Sequence, residues 1–233
     1  GQNALEIAKL LEKDGVVSSK QKFLDVLNTN AFDNSYTMIS NLKGLSGRYY
    51  KFEGYLFPDT YEFYQNEDPQ NILQKMLDDA NKHYTAQIRD KAKAQNMTLD
   101  QLVTMASIIQ AESADSSDML NVSSVLHNRL KYGSQYNIFT LDCNSTTYYP
   151  YRSQSVIPAS VGKKYKSKYN TYTIKGLPAG AICNPGMAAI NAALQPNTTD
   201  YLYFCHNPKT QRAYYASNAE EQAENLVKAG LSQ

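Results

Sequence analysis

Thr98-Leu99-Asp100-Gln101-Leu102-Val103-Thr104-Met105-Ala106-Ser107-Ile108-Ile109-Gln110-Ala111-Glu112-Ser113 is the stretch on which the reading of this chain turns. Thr98 and Gln101 form the S/T-x-x-E/Q pattern that opens a helix. The apolar residues that follow, from Leu102 to Ile109, predict a helix with a buried face. Glu112 stands three residues after Ile109, four after Ile108 and seven after Met105, so it shares that apolar face. A carboxyl carried into an apolar groove favours its neutral form, and the partial negative charge of a helix C-terminus pushes the same way. Glu112 is therefore the candidate general acid, the group that glycosidic bond cleavage requires.

Outward from this helix, the periodicity predicts mostly helices, then strands. Asn3 caps a short helix that Gly15 ends, and a second carries Phe23, Leu24 and Leu27. A polar connection from Asn28 to Arg48 leads to an aromatic run, Phe52 to Phe63, interrupted by Gly54 and Pro58. Asp68-Pro69 opens a long amphipathic helix with Ile72, Leu73, Met76, Leu77 and later Ile88 on one face. Ser116 or Ser117 is placed to cap the helix of Met119, Val122, Val125, Leu126 and Leu130, which stops at Gly133. The tyrosine- and serine-rich stretch from there to Asn170 has no periodicity, and a loop of that length points to function or disorder. Thr171-Tyr172-Thr173-Ile174 is β-prone, and Asn184-Pro185 supplies an N-cap for a helix through Leu194. Two strands, Asp200 to Cys205 and Arg212 to Ala216, flank an Asn207-Pro208-Lys209-Thr210 turn, and Ser217 with Glu220 caps a last helix. Helices and strands do not alternate as βαβ units, so the fold class expected is α+β.

Composition narrows the function classes. With 23 basic and 22 acidic residues there is no electrostatic case for a nucleic-acid partner. No run approaches the roughly 18 apolar residues of a membrane span. The three cysteines, Cys143, Cys183 and Cys205, are too far apart for a CxxC motif, and the three histidines fall on unrelated segments, so no metal and no cofactor is expected. Nineteen tyrosines and no tryptophan supply flat faces with polar tips. Such rings suit core packing first and sugar stacking second.

Three separated motifs resemble one family. Ala106 to Ser113 looks like the catalytic helix of the YceG-like (MltG) endolytic murein transglycosylases. So do Glu53-Gly54-Tyr55-Leu56-Phe57-Pro58-Asp59-Thr60-Tyr61 upstream and, downstream, Tyr169-Asn170-Thr171-Tyr172, Lys175-Gly176-Leu177-Pro178, Ile182-Cys183-Asn184-Pro185-Gly186 and Asp200-Tyr201-Leu202-Tyr203-Phe204. The resemblance spans about 53 to 220 and implies a YceG-like catalytic domain at 51–233. It also implies a partial LysM-like subdomain, lacking its first strand, and its connection at 1–50. The activity implied is a lytic transglycosylase that cuts nascent glycan strands within the chain, between N-acetylmuramic acid and N-acetylglucosamine, and leaves a 1,6-anhydro end. The partners implied are peptidoglycan strands and the cell-wall synthesis machinery. The place implied is the extracytoplasmic face of the bacterial membrane, reached by an N-terminal anchor upstream of Gly1.

Residue by residue, Glu112 matches the catalytic glutamate, and a single carboxyl suffices because the substrate's own 6-hydroxyl is the nucleophile. The resemblance implies Glu53, Tyr61, Ser113, Asn128, Arg129, Asp142, Asn170, Tyr172 and Asn184 as candidate substrate-binding residues, several of which also have structural readings. Arg129 fits a carboxylate partner as well as a sugar, and capping nearly accounts for Asn184. Two departures stand out. Gln110 occupies a position commonly filled by glutamate, and Asp142-Cys143-Asn144-Ser145 replaces the usual Asp-Pro-Thr-Val. The alternatives are a muramidase that uses water, with Glu53 or Asp142 as second carboxylate, and a wall-binding or scaffold protein that does not cut. The expected location of Glu112 is a groove near Tyr172 and Tyr203, with the segment from Asn170 to Pro185 as one wall.

Overall fold

A computed structural model describes residues 1–42, 44–162 and 164–231, so the last two residues of the 51–233 span fall outside the described ones. The buried centre is α5, Leu99–Glu112, opened by the Thr98 capping box. Ten of its fourteen residues are buried, among them Thr104 and Ser107 as well as the apolar stripe. Packed around it are α4 (Ala86–Ala94), α6 (Met119–Tyr132), α7 (Met187–Leu194) and two 3-10 helices, Thr37–Leu42 and Asn144–Thr146. Burying nearly the whole circumference is what an all-round apolar helix requires.

In front of α5 stand α1 (Ala4–Lys13), α2 (Lys20–Val26) and α3 (Pro69–His83). Asn3 caps α1 in a reciprocal box with Glu6, and Gly15 adopts the left-handed φ of +71° that the turn needs. Residues 1–50 contain, among those described, helices and no strand. Their buried side chains, Ala4 to Leu42, join one continuous hydrophobic cluster with the rest of the chain. At the far end, β1 (Tyr203–His206) and β2 (Ala213–Ala216) form an antiparallel pair with Phe204 opposite Tyr215, covered by α8 (Ala219–Lys228). The fold is mixed, predominantly helical with this small two-stranded sheet. No helix among the described residues is long and apolar enough to cross a membrane.

Local chemistry overrides the sequence reading at several joints. The single long helix expected from Asp68 breaks at Tyr84, because Thr85 takes extended geometry and its side chain caps α4. The N-cap of α6 is Asp118 rather than Ser116 or Ser117. Asn218, not Ser217, caps α8 by accepting from the Glu221 N–H. Thr171-Tyr172-Thr173-Ile174 forms turns and no strand, since Thr171 is drawn inward to bond Thr146 and Cys143 through its hydroxyl. The long tyrosine-rich stretch is ordered by side chains rather than by a ladder. Tyr149 and Tyr169 are buried with ring centroids 4.8 Å apart, and Tyr49 packs on both.

Asn184 is the largest correction. The helix after it starts at Met187 with Gly186 as its cap, so Asn184 caps nothing. Instead its side chain, fully enclosed, accepts from the N–H groups of Gly54 (2.8 Å) and Leu56 (2.9 Å). It donates to Gln2 O at 3.0 Å and to Glu53 Oε1 at 2.8 Å. The buried Glu53 carboxylate also receives the Ala4 N–H and the Tyr149 hydroxyl, the latter at 2.8 Å. Burial is the dominant influence on Glu53 and lifts its pKa to about 7, although all three partners favour the charged form.

Two tests follow from this packing. Gly54 has φ +91°, and a Cβ there would lie 2.6 Å from Val103 and 2.7 Å from Ala181. Strain and overpacking then add, so Gly54→Ala is expected to lose about 3 kcal/mol or more in denaturant unfolding. For Glu53, a folded pKa above the unfolded one gives stability that is fully present below about pH 4.5 and lost as pH rises through about 7. Relative to Glu53→Gln, the wild type is expected to gain up to about 3 kcal/mol as pH falls across that window. A pH-independent difference in unfolding free energy would contradict the assignment.

Candidate active site

Glu112 is the last residue of α5. Its carboxyl lines a cavity of about 370 Å³ bounded by the Leu141–Asn144 segment, Tyr172, β1 and α8. Oε1 accepts a 2.8 Å hydrogen bond from the backbone N–H of Ser145, at the 3-10 helix that follows Cys143. The Ser145 hydroxyl is close by and buried without a well-aligned partner, as is the Ser113 hydroxyl. Part of the Glu112 surface stays open to the cavity, yet the protein encloses most of the carboxyl. Desolvation therefore raises its pKa, against the lowering effect of Ser145 and, more weakly, of His206. A carboxyl whose pKa is raised beside an open cavity is suited to donating a proton and, once ionised, to taking one back.

Arg129 shapes the adjoining wall. Its guanidinium donates to Leu202 O at 2.6 Å, to Leu141 O at 3.1 Å and to Asp142 Oδ2 at 2.8 Å, and it lies 5.2 Å from the Tyr203 ring centroid. It thus ties α6 to β1 and to the Asp142 loop, while both Arg129 and Asp142 face the cavity. Asp142 has φ +53°, a conformation in which aspartate is among the least penalised side chains. Tyr172, 48% exposed, donates from its hydroxyl to Asn144 Oδ1 at 2.9 Å and offers its ring at the rim. Burial, Asp142 and Glu112, in that order, raise its pKa.

The structure thus brings together Glu112, Arg129, Asp142 and Tyr172, with Ser113 adjacent in the chain. The others lie elsewhere. Asn128 donates to Thr199 O and Tyr201 O, both at 2.9 Å, and anchors the segment before β1. The Asn170 side chain accepts from the Tyr172 N–H and so sets the turn that presents Tyr172. Glu53 and Asn184 are in the buried node, and Tyr61 bonds Phe57 O at 2.6 Å beside a different cavity. Of the expected Asn170 to Pro185 wall, Tyr172 is the contributing residue among those lining the cavity. Gln110 points away from that chemistry and accepts from the Gly186 N–H at 3.2 Å, holding the start of α7.

Sequence reasoning missed Asn144, Ser145 and His206. His206 lines the cavity, and its Nε2 lies 2.9 Å from Asp118 Oδ2, while Tyr215 donates to Asp118 Oδ1 at 3.0 Å. Asp118 thereby pins both strands beside the end of α5. The expected apolar environment of Glu112 was the available signal. The polar partners come from loops whose positions no periodicity reveals.

Because the folded pKa of Glu112 is raised, its ionisation opposes folding as pH climbs. Glu112→Gln keeps the acceptor for Ser145 and removes that cost. Its melting temperature is expected to exceed that of the wild type by a margin that widens from pH 5 to pH 8, and a margin that narrows would contradict the buried-acid reading.

Comparison with known proteins agrees with the sequence motifs. The YceG-like family profile matches residues 1–228. An endolytic murein transglycosylase of Bacillus subtilis is 32% identical over 202 residues, covering 85% of this chain and 50% of that protein. One of Streptococcus pneumoniae is 29% identical over 187 residues, covering 78% of this chain and 33% of that protein. This chain therefore spans about half, or a third, of the length of these relatives. A crystal structure of a yceG-like protein from Listeria monocytogenes superposes with a TM-score of 0.78 at 28% identity, covering 96% of this chain and 73% of that one. By sequence motif and by profile, the chain belongs to the YceG-like family.

Proposed function

We propose that this chain carries the cutting site of an endolytic peptidoglycan transglycosylase, with Glu112 as its single acid and base. The observation that carries the reading is the Glu112 carboxyl, enclosed and raised in pKa at the edge of a cavity large enough for part of a sugar chain. Protonated Glu112 donates to the glycosidic oxygen between N-acetylmuramic acid and N-acetylglucosamine as positive charge develops at C1. The resulting carboxylate, steadied by the Ser145 N–H, accepts the proton of the muramoyl 6-hydroxyl as that oxygen closes on C1. The product carries a 1,6-anhydro end, and no water enters the balance. Holding the hydroxyl near C1 gives the reaction its intramolecular advantage. Tyr172 is placed to stack on a sugar face, and Arg129 and Asp142 set the shape of the wall.

The names of the relatives support peptidoglycan as substrate, and hence action on the extracytoplasmic side of the membrane. An upstream membrane anchor, association with cell-wall synthesis enzymes and a LysM-like origin for residues 1–50 complete the proposal. The helix pair α1 and α2 is consistent with the last.

The test is a digest of purified glycan strands read by mass spectrometry. The wild type is expected to yield anhydro-ended fragments, lighter by one water than hydrolytic ends. Glu112→Gln is expected to lose at least about 10²–10⁴ in rate while retaining its fold. Ends that carry water would move the assignment to a muramidase in which Asp142 serves as the second carboxylate. Binding without fragments would identify a scaffold.

A further inference from the structure

The structure brings Asp59 to Asp79 and His83, which the sequence places some 20 residues further on. Asp79 and His83 are one turn apart on α3, and Asp59 comes from the loop after Pro58. One potential ligand atom from each lies within 4.8 Å of the other two. Asp79 is buried, His83 half-buried and Asp59 exposed. We propose that these residues form a site for a zinc-class divalent cation that clips the Asp59 loop to α3.

Geometry and charge both point that way. His83 Nε2 and Asp79 Oδ2 are 3.7 Å apart, too far for a hydrogen bond. Two tetrahedral ligands, each about 2.1 Å from zinc, sit roughly 3.4 Å apart, so a small closure would let both bind one ion. The His83 ring is already fixed, stacked on Phe57 at 3.8 Å with an interplanar angle of 12°. Tyr61 lies 3.4 Å from Asp79 Oδ2, a contact of the outer shell that would orient the ligand. The carboxylate of Asp59 accepts from the Thr60 N–H through Oδ1, which leaves Oδ2 available, and its exposure lets it turn inward. The two carboxylates are opposed by Lys82, which reaches Asp79 Oδ1 at 3.1 Å and is itself 71% exposed, so it neutralises little of the charge. Among first-row dications a mixed imidazole and carboxylate set suits zinc, whereas magnesium takes oxygen alone. Phe57, Pro58, Asp59 and Tyr61 also line a cavity of about 340 Å³ against α1, so a bound ion would stiffen that wall.

The experiment uses the full chain, stripped of metal by chelator and dialysis, then titrated with zinc chloride by calorimetry and followed by thermal melting. One zinc per chain is expected, with a melting temperature raised by about 5 °C or more at a hundredfold excess over Kd. Asp59→Asn changes an exposed side chain, and His83→Phe keeps the stack on Phe57 while removing the ligand. Each is expected to weaken zinc about 100-fold or more while melting within a few degrees of the metal-free wild type. Magnesium chloride at the same concentration is expected to leave the wild type unchanged. Absence of zinc binding at about 100 µM, or binding that both variants retain, would overturn the site, the second result placing the metal elsewhere, for instance on the cysteines. Should His83→Phe fail to fold, Asp59→Asn alone decides.

Discussion

The Glu53 carboxylate, sealed from solvent and gripped by Ala4, Tyr149 and Asn184, is the interaction on which the remaining structure depends. A buried carboxylate is tolerable when its oxygens are filled by donors, and removing one donor leaves a cost greater than the lost bond is worth. Here the donors come from the start of α1, the tyrosine-rich stretch and the segment before α7. Asn184 then extends the node to the N–H groups of Gly54 and Leu56. Four regions far apart in sequence are thus fixed relative to one another by polar contacts, each of which has a single geometry.

That node also positions α5. Gly54, held by Asn184, sits so close to Val103 that no side chain fits between them. On the next turn of the helix, the Ser107 hydroxyl accepts from the Ile182 N–H at 3.0 Å while donating to Thr104 O. Backbone from two adjoining segments is thereby pressed onto the helix, and the hydroxyls on its buried face have their needs met locally. The end of α5 is left with one orientation, pointing Glu112 at the cavity. A second polar centre, Asp118 with His206 and Tyr215, sets the opposite wall by tying both strands to the start of α6. His206 of this second centre also lines the cavity, so the site is built directly against it.

How much of this was legible in the sequence follows from the range of each interaction. The Thr98 capping box and the Asn3 cap are contacts over three residues, and both appear where the pattern placed them, Asn3 with Glu6 completing a box there as well. The burial of Glu112 was likewise readable, because helical spacing transmits an apolar face over two turns. The turn at Asn207 formed as its residues suggest, with Asn207 Oδ1 accepting from Lys209 and Thr210. What could not be read were choices between equivalent local partners, such as Asn218 over Ser217, and roles fixed by distant segments. Asn184 satisfies every local criterion for a cap, yet partners some 130 residues away claim its side chain. The same holds for Glu53, sealed in its buried node, and for the half-buried Asn128, whose amide is claimed by Thr199 O and Tyr201 O some 70 residues away. His83 looked isolated for a similar reason, since Asp59 reaches it only through the loop's path. Tyrosine was read correctly as a core residue first: Tyr55, Tyr84, Tyr149 and Tyr169 are fully buried, while Tyr172 and Tyr203 line the cavity, Tyr172 at its exposed rim as a candidate sugar platform.

The central claim is that enclosure by the fold raises the pKa of the Glu112 carboxyl above the usual carboxylate value. Carbon-detected NMR of chain labelled at the glutamate side-chain carboxyl, assigned by comparison with Glu112→Gln, would follow that one group through a pH titration. The account predicts a midpoint clearly above the value of about 4.3 for a free glutamate. A midpoint at or below that value would show a solvated carboxylate and contradict the assignment of Glu112 as the acid.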